Sequence, residues 1–128
     1  VTVPLDLYDD FAAWADGVLA GAIPAEVVAF GVNLYEGNDT FDVGITGAAS
    51  FDVDDEEWAC NPIYVPDDLF GIPRELVADE WEAALDLVLE WTRRYLRQDT
   101  AGAKILRAGR GVGVGFVDGD LHVVWLDG

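Results

Sequence analysis

The densest chemistry in the chain lies between Ser50 and Pro66, SFDVDDEEWACNPIYVP. Five carboxylates fall within six residues: Asp52, Asp54, Asp55, Glu56 and Glu57. Trp58 follows at once, and then Cys60, the only cysteine. Clustered oxygens suit a hard divalent cation. The run lacks the D-x-D-x-D-G spacing and closing glutamate of a calcium loop. Carboxylates at 52, 54 and 56 would share a face only on a continuing strand, where like charges side by side repel. No metal is expected there.

A thiol nucleophile needs a base and surroundings that lower its pKa. The sequence neighbours of Cys60 are carboxylates, which act in the opposite sense. His122, the only histidine, falls in an expected strand and points away from Val123 and Trp125. Zinc would lack a second Cys or His. Cys60, beside Trp58 and Ala59, reads as a small core residue. A glycosidase pair of carboxylates is not singled out among 25 acids. The alternation of glycines 109, 111, 113 and 115 departs from G-x-G-x-x-G, and a strand rather than a helix follows it. Alternating glycine on a strand leaves room for an aromatic ring or a helix to lie close. Neither a catalytic residue nor a cofactor is therefore expected, and the chain reads as non-enzymatic. What remains is a surface. Acids around an aromatic resemble an interface with a charged rim and an anchor. Asp52, Asp54, Asp55, Glu56, Glu57 and Trp58 are the candidate partner contacts. Trp58 suits a core residue that pins the loop equally well.

The charge balance points the same way. The net charge is −18 over 128 residues. Residues 1–92 hold 21 acids and one base, Arg74, for −20; residues 93–128 hold four acids and six bases, for +2. Phosphate binding needs clustered Lys and Arg, so nucleic acid and anionic membrane surfaces are excluded as direct ligands. A basic protein, a cation or simply an acidic solvated surface fits. Apolar residues make up 52% of the chain, enough for one self-sufficient domain over 1–128. No apolar run reaches the length of a membrane span, and no basic start with an apolar block and a cleavage site is visible. With a single cysteine, these features favour the cytoplasm.

The elements that must position the acidic stretch are legible from periodicity. A first helix is expected over 5–20, with Asp6 as N-cap and Tyr8, Phe11, Ala12, Ala15, Val18 and Leu19 as its apolar face. A hairpin follows: 26–35 with Val28, Phe30, Val32 and Leu34 on one face, then 40–48 with Phe41, Val43 and Ile45. A third strand is expected over 49–53, with Phe51 and Val53 inward. The span 54–73 reads as a long irregular loop, with at most a short strand at 63–65; such loops tend to be functional or mobile. A long helix is expected over 74–98, with Val77, Trp81, Ala84, Leu85, Val88, Leu89, Thr92, Tyr95 and Leu96 as one stripe. Its acids come first and its arginines last, as the macrodipole favours. Residues 100–110 read as a connector. A closing hairpin, 111–117 and 121–126, turns at Asp118-Gly119, with Leu121, Val123 and Trp125 on one face. The fold class is α+β: an antiparallel sheet of about five strands built from two hairpins, with two helices packed on it.

Two motifs carry a resemblance. F-D-x-D-D-E-x-W-A-C-N at 51–61 and V-G-F-x-D-G-D-L-x-V-V-W at 114–125 resemble a group of small, mostly uncharacterised bacterial α+β proteins. These look like the immunity proteins found beside bacterial toxins, in which one small acidic domain neutralises one toxin. The resemblance implies an inhibitor of a basic toxin and carries over no catalytic residue. Two other readings remain open: a small enzyme or ligand-binding domain with its site between the 54–73 loop and the sheet, and a homo-oligomer.

Overall fold

The computed structural model describes residues 3–52, 54–117 and 119–126, with backbone only at 3–6 and 56. The described chain is α+β, three helices and a six-stranded mixed sheet. Helix α1, Val3–Leu19, buries Tyr8, Phe11, Ala15, Val18 and Leu19 as the periodicity requires. It begins before Asp6, which therefore sits within the helix and is not its N-cap. Strands β1 (Ala29–Glu36) and β2 (Thr40–Ala48) form the expected hairpin, closed by the Gly37 N–H on the Thr40 carbonyl at 2.9 Å. Phe30, Val32 and Leu34 join Phe41, Val43 and Ile45 on the helix side, all buried.

After Ala48 the chain leaves the sheet, so the strand expected over 49–53 does not form; Val53 lies outside the described residues. A 3-10 turn, Glu56–Cys60, leads into β3 (Pro62–Tyr64), which pairs with the end of β2. Strand β4 (Phe70–Pro73), in a stretch expected to be irregular, pairs with the first half of β2. Its Pro73 sits at the strand end, where a missing N–H costs little.

The helix expected over 74–98 is broken. A 3-10 turn, Arg74–Val77, is followed by Ala78 and Asp79 at φ 54° and 57°, and only then by α2, Trp81–Leu96. Two left-handed residues redirect the chain, so α2 starts at Trp81. Trp81, in the first turn of α2, is 50% exposed although it was expected in the stripe, while Trp91, which was not, is 4% exposed. The break is held by Arg74, the lone base of residues 1–92. Its Nε and Nη2 donate to the Gly37 carbonyl at 3.2 and 2.6 Å, and Nη1 pairs with Asp79 at 2.7 Å. Its guanidinium lies 4.3 Å from the centre of the Phe41 ring. Arg74→Ala should cost about 2 kcal/mol, because a charged donor to a carbonyl and a ring contact vanish together. Arg74→Lys should lose most of that, since an ammonium lacks the planar fork. Urea midpoints of the two variants close to the wild-type value would refute this.

The 100–110 connector is a helix, α3, Ala101–Ala108. Thr100 caps it, accepting from the Ala103 N–H at 3.2 Å, and Ala103 and Leu106 are buried. Arg107 closes the α2 end by donating to the Leu96 and Gln98 carbonyls at 2.6 and 2.7 Å.

Strand β5 (Gly111–Phe116) lies parallel to β1, and β6 (His122–Leu126) antiparallel to β5. The sheet is thus mixed, in order β3-β2-β1-β5-β6 with β4 also on β2, rather than the antiparallel sheet of two hairpins expected. The physical reason is the crossover. β4 and β5 run in the same direction, so the chain between them must return across the sheet, and α2 with α3 makes that return. A register shift between Val112 and Gly113 sets Val112 opposite Trp125 and Gly113 opposite Val123. It places both Val124 and Trp125 against the main core, while Leu121 packs on the other side of the sheet, so the single face expected for Leu121, Val123 and Trp125 is split. Asp118, the first residue of the expected turn, lies outside the described residues.

Candidate binding surface

The second face of the sheet is built from small residues. Ala29, Gly31, Gly44, Ala48, Gly111, Gly113 and Gly115 alternate with the side chains that point to the helices. Small residues admit close cover. A Cβ at Gly111 would run into the Phe51 ring, one at Gly113 would come within 2.9 Å of Leu121, and one at Gly115 would meet the Asp120 carbonyl. The glycine alternation therefore serves approach, as its strand setting implied, and Phe51 is the ring that approaches.

Phe51 and Trp58 pack edge to face at 5.0 Å, over Ala29 and Ala48. Trp58 is 5% exposed, so it fastens the loop from beneath and is not presented as a surface contact. Its indole N–H finds no partner among the described residues. Cys60, expected in the core, is exposed, because the tight 3-10 turn carries it outward two residues after Trp58. At the far end of the loop, Trp14 of α1 donates to the Asp68 carbonyl at 3.3 Å and packs on Phe70. Tyr64 donates to the Val18 carbonyl at 3.1 Å. The 49–69 span is therefore tied down at several points.

The carboxylates stand on this anchored loop. Asp52, Asp54, Asp55 and Glu57 are exposed; the Glu56 side chain lies outside the described residues. The run folds on itself. Asp52 accepts from the Asp54 N–H at 2.9 Å, and Asp55 caps the 3-10 turn by accepting from the Glu57 N–H at 3.1 Å. These bonds fix the backbone and leave further lone pairs facing water. None of the four described carboxylates has an ion-pair partner among the described residues. Nor does any group of three or more His, Cys, Asp or Glu there converge as metal ligands would.

Four of the seven bases are engaged elsewhere: Arg74 and Arg107 with carbonyls, Arg94 4.0 Å from the centre of the Tyr8 ring, and Lys104 with Asp99 at 3.2 Å.

Between the loop and the sheet a cleft of about 290 Å³ remains. Asn33 and Thr46 form its polar floor, with the Asn33 amide donating to the Thr46 hydroxyl at 3.0 Å. Tyr35, Cys60, Val65 and Leu121 are among its walls. Asn33 pairs with Gly44 on one side and Gly115 on the other, so neither strand neighbour places a side chain of its own beside it. The signal was present in the sequence as a polar residue in mid-strand, but its glycine neighbours come from two different strands. His122 is exposed and lines another cleft.

No protein-family model matches the chain, and neither a curated protein nor a solved structure does. No helix among the described residues is long and apolar enough to cross a membrane.

Proposed function

We propose that the chain is a non-enzymatic protein-binding domain that captures a basic partner, as an immunity protein captures a toxin in the cytoplasm. The observation that carries this reading is the anchored ridge of Asp52, Asp54, Asp55 and Glu57, without ion-pair partners among the described residues and raised on Phe51 and Trp58. A fixed ridge loses little conformational freedom on binding, and its field steers a basic surface toward it. The resemblance of the 51–61 and 114–125 motifs to immunity proteins supports the same assignment.

The reading expects a gene for a basic protein beside this one, and the test is association with that gene's product. Changing Asp52, Asp54 and Asp55 to Asn and Glu56 and Glu57 to Gln should slow association by at least about tenfold at low salt. Added salt should slow the wild type toward the variant, because exposed charges are screened. A variant that captures the partner as fast as the wild type would remove the ridge from the interface.

A second reading rests on the cleft floored by Asn33 and Thr46: a small polar ligand held between loop and sheet. It predicts that one compound from a metabolite screen protects the Cys60 thiol from alkylation, and that Asn33→Ala abolishes the protection. A screen in which no compound slows labelling would set this reading aside.

A further inference from the structure

A second cleft, of about 600 Å³, opens at the opposite end of β1, beside Glu36. It stands roughly 25 Å along the strand from the Ala29 end, where Trp58 packs. One wall is aromatic and aliphatic. Trp81, in the first turn of α2, stands edge-on to Phe116 at 5.8 Å with half of its surface exposed, and Leu85 also lines the cleft. The rim carries Glu36, Glu82, Asp86 and Asp120. Glu36 lies 4.0 Å from Arg74 Nη2, which itself donates to the Gly37 carbonyl, while Nε and Nη1 are engaged with Gly37 and Asp79. Glu82, Asp86 and Asp120 have no ion-pair partner among the described residues, and neither lysine nor arginine is among those lining the cleft.

We infer that this aromatic groove receives an arginine side chain of the basic partner. The chemistry selects that occupant. A guanidinium is planar, stacks on an indole face, is less strongly hydrated than an ammonium and pairs with carboxylates in a fork. The Trp81 ring offers the stacking face, and the rim offers the counter-charge. An exposed tryptophan within an acidic border has the composition of an interface hot spot, with the aromatic at the centre and polar groups around it. The inference rests on the reading that the partner is basic. It adds a specific anchor separate from the 52–57 ridge, none of whose described side chains lines this cleft.

The experiment uses the full chain labelled with ¹⁵N and the peptide acetyl-Gly-Arg-Gly-amide. Its neutral isostere with citrulline and the free amine agmatine serve as comparisons. The arginine peptide should bind weakly, with a Kd on the order of millimolar. It should shift the Trp81 indole N–H and the amides of Leu85 and Phe116. Citrulline should leave them in place. Trp81→Ala should weaken the peptide about fivefold to tenfold. The paired change Glu82→Gln and Asp86→Asn, which keeps the ring, should weaken it comparably. Equal shifts from the citrulline peptide, or arginine shifts centred on the 52–57 loop, would overturn the groove assignment. Agmatine binding at least about tenfold tighter than the peptide would overturn the assignment to a protein side chain in favour of a free cation. Failure here is distinct from failure of the proposed function. A partner whose association depends on the five loop acids but not on Trp81 removes the groove alone. Arginine-peptide binding at Trp81 without capture of the basic protein removes the functional reading alone.

Discussion

Gly102→Ala should destabilise the fold by about 3 kcal/mol, the sum of an overpacked contact and a disturbed hydrogen bond to a charged group. Gly102 is where α3 crosses the Tyr95–Asp16 pair. A Cβ there would run into the Tyr95 hydroxyl and approach an Asp16 carboxylate oxygen to 2.6 Å. The hydroxyl donates to Asp16 at 2.5 Å and joins α2 to α1 beneath α3. The Tyr95 hydroxyl cannot swing away, because the residue is 1% exposed. Tyr95→Phe should cost about 2 kcal/mol by itself. It should also soften the effect of Gly102→Ala, since the atom met first is gone. The double variant should therefore lose less than the sum of the single losses. Denaturant unfolding of the four proteins measures this. A Gly102→Ala protein within about 0.5 kcal/mol of wild type would refute the steric account.

The same pair gives the fold an alkaline limit. Burial, reinforced by the Asp16 hydrogen bond, pushes the Tyr95 phenol well above its ordinary value of 10.0. Burial also raises Tyr8, against the opposing pull of Arg94. A raised tyrosine keeps its proton in the folded state while the unfolded chain loses it. Stability is therefore whole below pH 10 and declines as pH rises above it. Tyr95→Phe should flatten part of that decline.

Trp58→Ala should cost about 3 kcal/mol, the lower end for a buried tryptophan, because its cluster is a small one against the sheet. The loss should be local first. Amides of the 49–69 span should exchange faster while those of β1, β2 and α2 keep most of their protection. Trp58→Phe should cost no more than about 1.5 kcal/mol. The ring area is largely kept, and a buried N–H with no partner among the described residues is removed. Association with the basic partner should slow in Trp58→Ala although the tryptophan touches no partner, because the carboxylates would lose their fixed placement. Unchanged exchange in the loop of Trp58→Ala would show that something else holds it.

Much of this was legible in the residues. The apolar stripe of α1, the alternation in β1 and β2, and the return of β5 into β6 follow from side-chain periods of 3.6 and 2. Those periods are local properties. The acidic run was equally plain, and so was the reason for the glycines of β5. Other features had no local signal. Ala78 and Asp79 carry no glycine or proline to announce a left-handed break, and the stripe on either side looks continuous. Arg74 supplies the energy for that break from a turn 37 residues earlier. The helix at 101–108 was hidden by its shortness and by Gly102, whose purpose lies in α1 and α2.

The acidic stretch divides the same way. Its charge and its position between two hairpins are facts of composition and order. Whether Trp58 faced water or protein, and whether Cys60 was core, depended on which surface the loop met. That surface, a floor of glycine and alanine, is assembled from three strands. It exists only because β5 lies parallel to β1, a pairing made possible by the crossover through α2 and α3. Local periodicity sets which residues face inward on each element. Long-range pairing decides which elements meet, and with that where the chain is open to a partner.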